Sequence, residues 1–307
     1  MADGSEASGD VQWFTTDLAG AVTNRRYLDC YEIPSANVTS YSSGYELFGN
    51  TNYHVYGTSN HKQRVVTHTF SYNGTKRNYS MLYDGSKRCA LWVAFAMNTG
   101  SYPWIVDRKD DWEYDPALPQ IWQPDLSSAY PEQKRSALYS RGHQCASNDR
   151  RTTTEQTKQT TYFSNMTPQL DGFNSGVWST LEGDIQKIGG ATSGSDTLYV
   201  VTGPIFGSGY TTTIDKNEEI CAVPTQYFKC IMKVSFTNGV PSSAHGAAYI
   251  LNHQNSGSAR QNVSIDAIET LTGFDFFAHV PLSLQNDAEA EIHETSYFSQ
   301  SPVGTTE

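Results

Sequence analysis

Apolar and polar positions change their rhythm along this chain. From Arg64 to Tyr72, β-branched and aromatic residues alternate with polar ones, the period of a half-buried strand, and Tyr79 to Tyr83 continues it. Asn73-Gly74 between them predicts a hairpin turn. Leu28 to Ile33 predicts an earlier strand. Cys89 to Met97 is apolar on both faces, as a strand in the middle of a sheet must be. Residues 98–135 then lose all periodicity and carry Pro103, Pro116, Pro119, Pro124 and Pro131, so they predict a long functional loop. From Asn174 the spacing lengthens, with Val177, Trp178, Leu181 and Ile185 on one helical face and Gly189-Gly190 as its end. Strands return at Thr197–Thr202, Ala222–Pro224, Tyr227–Phe236 and Ala247–Leu251. A short helix over Ser264–Leu271 has Ser264 as its cap. Residues 1–26 predict a flexible tail, 27–282 a single domain with its core at about 79–282, and 283–307 a polar C-terminal tail.

Composition agrees with strands joined by long polar loops. Aromatics make up 12% of the 307 residues, half of them Tyr, with Ser, Thr, Asn and Gly dense between them. The length is enough for a sizeable core. No apolar run approaches the ~20 residues that a membrane span needs. The five cysteines, Cys30, Cys89, Cys145, Cys221 and Cys230, contain no C-x-x-C pair, which argues against a zinc ribbon or a redox motif. They are either buried thiols or one or two disulfides of an exported protein.

The net charge of −11 excludes binding of polyanions by bulk electrostatics. One stretch runs against it. Lys134, Arg135, Arg141, Arg150 and Arg151 face a single acid, Asp149, between positions 134 and 151. A local basic strip is what a phosphate backbone requires.

That strip holds Arg141-Gly142-His143-Gln144. His143 can accept a proton from water near neutral pH. Gly142 lets the backbone pass close to a neighbour. Arg141 can clamp a phosphate or brace its own turn. Asn174, at the predicted helix start, is either an N-cap or a neutral oxygen ligand for a hard cation. Glu182 lies eight residues on, about 80° round an ideal helix at ~100° per residue, so both can face one side. Glu182 then holds water beside the cation, or is a solvent carboxylate. Asn165 either braces a loop or serves the site.

Together these segments resemble the DNA/RNA non-specific endonuclease family, the ββα-metal nucleases of the Serratia nuclease and endonuclease G type, with the phrase 142–150 most like exported members from Bacteroidetes-type bacteria. The family's D-R-G-H is similar to Ser140-Arg141-Gly142-His143. Its T/S-N-x-x-P-Q is similar to Ser164-Asn165-Met166-Thr167-Pro168-Gln169. Its N-x-x-x-W-x-x-L-E runs from Asn174 through Trp178 to Leu181-Glu182. The resemblance implies an α+β fold, the ββα-metal (His-Me finger) architecture, with a central mostly antiparallel sheet flanked by helices and long loops. It implies a general base at His143, a Mg²⁺ ligand at Asn174 (Mn²⁺ can replace the ion), a water-holding carboxylate at Glu182, and supporting roles for Arg141 and Asn165. DNA and RNA are the implied substrates and 5′-phosphate ends the implied products. The implied setting is secreted, periplasmic or at the cell surface, although this chain shows no export signal. Three departures stand out: Ser140 replaces the aspartate, Asp110 stands where an arginine is common with Arg108 as its possible substitute, and Gln186 follows Glu182 where some members have arginine. The rival reading is a catalytically weak nucleic-acid- or glycan-binding protein on the same fold, using Tyr41, Tyr45, Tyr53, Tyr56 and Tyr72 as a stacking surface.

Overall fold

The computed structural model describes residues 31–36, 53–56, 63–131 and 139–299. Eight strands make the central sheet: β1 (Tyr53–Tyr56), β2 (Gln63–Ser71), β3 (Thr75–Asp84), β4 (Cys89–Met97), β5 (Asp196–Ile205), β6 (Gln226–Thr237), β7 (Val240–Asn252) and β8 (Arg260–Val263). Each pairs antiparallel with its neighbour in sequence, so the sheet is a meander in the order β1 to β8. The β4–β5 connection, residues 98–195, leaves the sheet and folds over one of its faces.

Alternation sorts the strands onto two cores. Trp92, Ala94 and Ala96 of β4 with Phe228, Cys230 and Met232 of β6 face one way, and there they meet Ile265 and Ile268 of the Ile265–Thr272 helix and Ala288 of the Leu282–Ala290 helix. Val93, Phe95 and Met97 with Tyr227 and Ile231 face the other way and pack on Trp178, Leu181 and Ile185 of the helix over Ser179–Ala191 and the turn before it. Lys229 of β6 falls between Tyr227 and Ile231 on this second face. Apolar burial on the sheet therefore fixes where the 171–191 segment lies.

Most predicted elements form within a few residues of their expected ends. The Asn73-Gly74 turn has both residues at positive φ, 51° and 102°. The Ser264 hydroxyl accepts the Ala267 N–H at 3.2 Å, as a cap should. Three expectations need correction. Tyr31 and Glu32 lie in a turn, held where buried Glu32 pairs with buried Arg77, and a two-residue strand forms later at Ser35–Ala36, against Phe274–Asp275. The 171–191 helix ends one residue past Gly189-Gly190, at Ala191, and Gly189 serves packing, since an added Cβ would meet Met97 Cε at 2.3 Å. The C-terminal segment is not a tail from 283: Leu282–Ala290 is a helix on the sheet, and Phe298 is buried in the second core. Its polar sequence hides this, because buried Gln285 and Glu289 share the inner face with Ala288.

Cys89, Cys145, Cys221 and Cys230 are free thiols, all buried; Cys30 lies outside the described residues. The 1–26 tail, Tyr41, Tyr45, Lys134 and Arg135 lie outside them too, as do the side chains of Tyr53 and Tyr56. Tyr72 packs against the first core.

Candidate active site

Two short strands carry the motif. Tyr139–His143 pairs antiparallel with Met166–Leu170, placing Gly142 opposite Thr167 and His143 opposite Met166. The second strand leads directly into the helical segment at Asp171, so strand, strand and helix form one unit. Gly142 is required by a close approach: a Cβ there would lie 2.3 Å from Gln169 Cγ and Cδ. Asn165 binds the ribbon together. Its Oδ1 accepts from Cys145 N–H at 2.9 Å, and its Nδ2 donates to the carbonyls of Cys145 at 2.9 Å and Thr160 at 2.8 Å. On the upstream loop, buried Asp115 contacts His68 Nε2 at 3.0 Å and accepts from the Ser164 hydroxyl at 2.6 Å. Burial alone would raise the Asp115 pKa, but His68 and the hydrogen bonds hold it below the ordinary value.

The helical segment opens at Asp171–Phe173, passes through a π-type turn over Asn174–Trp178 and continues over Ser179–Ala191. The Ser179 N–H reaches back five residues to the Asn174 carbonyl, and Gly176 leaves helical geometry. Such a turn absorbs about one residue, or ~100°. The ideal ~80° spacing is therefore broken between Asn174 and Glu182, and both residues line the same cavity. The helix begins before Asn174, with Leu170 at its cap position, so the N-cap alternative for Asn174 does not apply.

His143, Arg141, Asn174 and Glu182 all open onto one cavity of about 490 Å³, together with Arg108, Trp112, Asp149, Ser179 and Gln186. Arg141 lies with its guanidinium 3.9 Å from the Trp112 ring centroid and donates to the Leu126 carbonyl at 3.0 Å, so it braces the hairpin while facing the cavity. The Trp112 and His143 rings are 5.5 Å apart. Arg108 is paired with Asp110 at 2.8 Å.

His143 is half-buried, and its Nε2 is buried without a hydrogen-bond partner. Burial, then the charges of Arg108 and Arg141, push its pKa down to about 3 against the opposing pull of Asp110. The imidazole is therefore neutral at pH 7 and able to accept a proton. The two acids move the other way. Burial raises Glu182 to about 7, with Asp149 adding to the rise and Lys229 opposing it. Burial raises Asp149 to about 6, opposed by Lys229 and Arg150. Lys229 is buried beneath this pair. Its Nζ lies 4.0 Å from Glu182 Oε1 and 4.4 Å from the Trp178 ring centroid.

A hard divalent cation takes oxygen donors. The Asn174 carboxamide and the Glu182 and Asp149 carboxylates supply them on the cavity wall. Glu182 Oε1 and Asp149 Oδ1 are buried and lack hydrogen-bond partners. These residues fit a Mg²⁺-like ion.

Four of the five expected residues thus meet in space. Asn165 is the exception: it is wholly buried, outside the cavity lining, and braces the loop rather than touching a substrate. Asp149 and Lys229 were not anticipated as site residues. Asp149 stood in the sequence only as the lone acid of the basic strip, and nothing marked Lys229 within its apolar strand. The lost motif carboxylate has a local replacement, since the Ser140 hydroxyl donates to the Asp171 carboxylate at the start of the helix. Arg108 reaches the cavity, and Gln186 lines it as well.

Comparisons with known proteins agree with this geometry. The family model described as DNA/RNA non-specific endonuclease matches residues 58–283. A nuclease from Nostoc sp. is 28% identical over 231 residues, covering 72% of this chain and 79% of its own. The nuclease of Serratia marcescens is 27% identical over 211 residues, covering 67% and 75%. Among solved structures, a chain of the crystal structure of an EndoG/EndoGI complex superposes with a TM-score of 0.52 at 25% identity, covering 71% of this chain and 89% of that one.

Proposed function

Because the chain belongs to the DNA/RNA non-specific endonuclease family, we propose that it is a Mg²⁺-dependent endonuclease that hydrolyses DNA and RNA to 5′-phosphate products from the cavity of His143. The observation that carries this is the convergence of a neutral imidazole, an uncapped carboxamide and two arginines on one cavity.

His143 takes a proton from the attacking water on its neutral imidazole. A phosphodiester anion beside it favours imidazolium, so the base strengthens as substrate enters. Arg108 and Arg141 present cations to the phosphate oxygens. Asn174 would hold Mg²⁺ or Mn²⁺, with the Glu182 carboxylate next to it orienting water. When bound there, the ion would supply charge neutralisation at the phosphate and at the leaving oxygen. Asn165 and the Ser140–Asp171 pair keep the ribbon in place.

This reading takes about 27–282 as one catalytic domain, joined by the packed C-terminal helix, and places its work outside the cytoplasm. Fractionation of the source cells tests the location, and activity confined to the cytoplasm contradicts it. Digestion of plasmid and of single-stranded RNA, with Mg²⁺ and with EDTA, tests the chemistry. We expect EDTA-sensitive cleavage of both and fragments that religate without kinase treatment. Binding without cleavage in Mg²⁺ or Mn²⁺ would favour the weak-binding alternative.

A further inference from the structure

We propose that His245, Glu291 and His293 form a second metal site, one that takes a zinc-class transition-metal ion and is separate from the cavity of His143. None of the three lines that cavity. One ring nitrogen from each of His245 and His293 and a carboxylate oxygen of Glu291 all lie within 4.8 Å of one another. The His245 Nδ1–Glu291 Oε1 distance is 3.0 Å, and the His293 Nε2–Glu291 Oε2 distance is 3.4 Å. Ligands about 2.0–2.1 Å from a tetrahedral zinc ion stand roughly 3.4 Å apart, so small side-chain rotations bring the trio to bonding geometry. Two imidazoles with one carboxylate suit Zn²⁺, Ni²⁺ or Cu²⁺, whereas Mg²⁺ takes oxygen donors.

The ligands are already oriented by their neighbours, as metal ligands commonly are. Gly246 N–H donates to Glu291 Oε2 at 2.9 Å. The Tyr249 hydroxyl donates to the His293 carbonyl at 3.3 Å. The Tyr297 ring stacks on His293 at 3.8 Å and 3°, with its hydroxyl 3.3 Å from His245 Nδ1. All three ligands are half-buried, so an ion can reach them from solvent.

The placement gives the site a purpose. His245 belongs to β7, and Glu291 and His293 belong to the segment after the Leu282–Ala290 helix. That segment carries Phe298 into the core shared with Leu181 and Ile185 of the 171–191 helix. An ion joining the three ligands fastens the C-terminal segment to the sheet, and through Phe298 it steadies the helix that presents Asn174.

The test is a Co²⁺ titration of tag-free, EDTA-stripped protein in an Asn174→Ala background, which removes the carboxamide ligand of the His143 cavity. One equivalent should saturate with the visible bands of four- or five-coordinate Co²⁺. Zn²⁺ should displace it, and millimolar Mg²⁺ should not. Saturating Zn²⁺ should raise the melting midpoint by about 3–8 °C. His293→Phe, which preserves the stack on Tyr297, and Glu291→Gln should each lose both responses. Should His293→Phe fail to fold, Glu291→Gln decides alone. No saturable spectrum in the parent, or an unchanged spectrum and midpoint shift in the folded variants, overturns the site.

Discussion

At the scale of single residues, the same neighbourhood asks opposite things of its titratable groups. His143 is kept neutral by burial and two arginines, while Glu182 and Asp149 are pushed toward protonation. His143 and Asn165 separate chemistry from scaffolding. His143→Ala should lower the cleavage rate about 10³-fold or more with little change in melting midpoint. Asn165→Ala strips three buried hydrogen bonds and should cost about 2–4 kcal/mol of stability. Parallel melts and digestions check the pair, and an Asn165→Ala protein as stable as wild type contradicts the bracing role. His143, Asn174 and Glu182 were legible in the sequence because their chemistry and spacing are local. Asp149 and Lys229 were not. Lys229 reaches Glu182 only through strand pairing, which places it opposite Thr202, and no local pattern encodes that meeting.

At the scale of elements, the ribbon and the helix depend on tight fits. Gly142→Ala drives a Cβ into buried Gln169 and should destabilise by about 1–3 kcal/mol while displacing His143, so activity falls along with the melting midpoint. A variant with wild-type melting contradicts this packing. The hairpin and helix were readable from their motifs, but the π-type turn between Asn174 and Glu182 was not, since apolar periodicity registers the helix and not its local winding. The C-terminal helix was misread for a different reason: Glu289 and Gln285 are buried there, and a polar run resembles a tail. Burial, then the charge of Glu269, holds Glu289 at about 9, against an ordinary value of 4.5. A raised carboxyl contributes stability that is complete below about 4.5 and lost as pH rises through about 9. The melting midpoint should therefore fall between pH 5 and pH 9, and Glu289→Gln should flatten that slope. Parallel slopes for the two proteins would contradict the assignment.

At the scale of the whole molecule, a chain of net charge −11 must engage a polyanion through a local field. Arg108 and Arg141 supply it at the cavity. Binding of DNA to an inactive His143→Ala protein should weaken steeply with salt, and adding Arg108→Ala should reduce the log–log slope by about one unit. Fluorescence anisotropy across a salt series reads this, and an unchanged slope removes Arg108 from the interface. The sheet strands from 63 to 97 and 196 to 251 were legible from alternation at Arg64–Tyr72 and from continuous apolar runs such as Cys89–Met97. Their closure into one meander, with the site carried by the β4–β5 connection, was not, because pairing of distant strands leaves no mark in local sequence. The central claim is that His143 and Asn174 act as one unit on one phosphate. Single-turnover cleavage at saturating Mg²⁺ by His143→Ala, Asn174→Ala and the double variant tests it most directly. The account predicts large single losses and a double variant hardly slower than the worse single one. Full activity in either single variant, or losses that simply multiply, would contradict it.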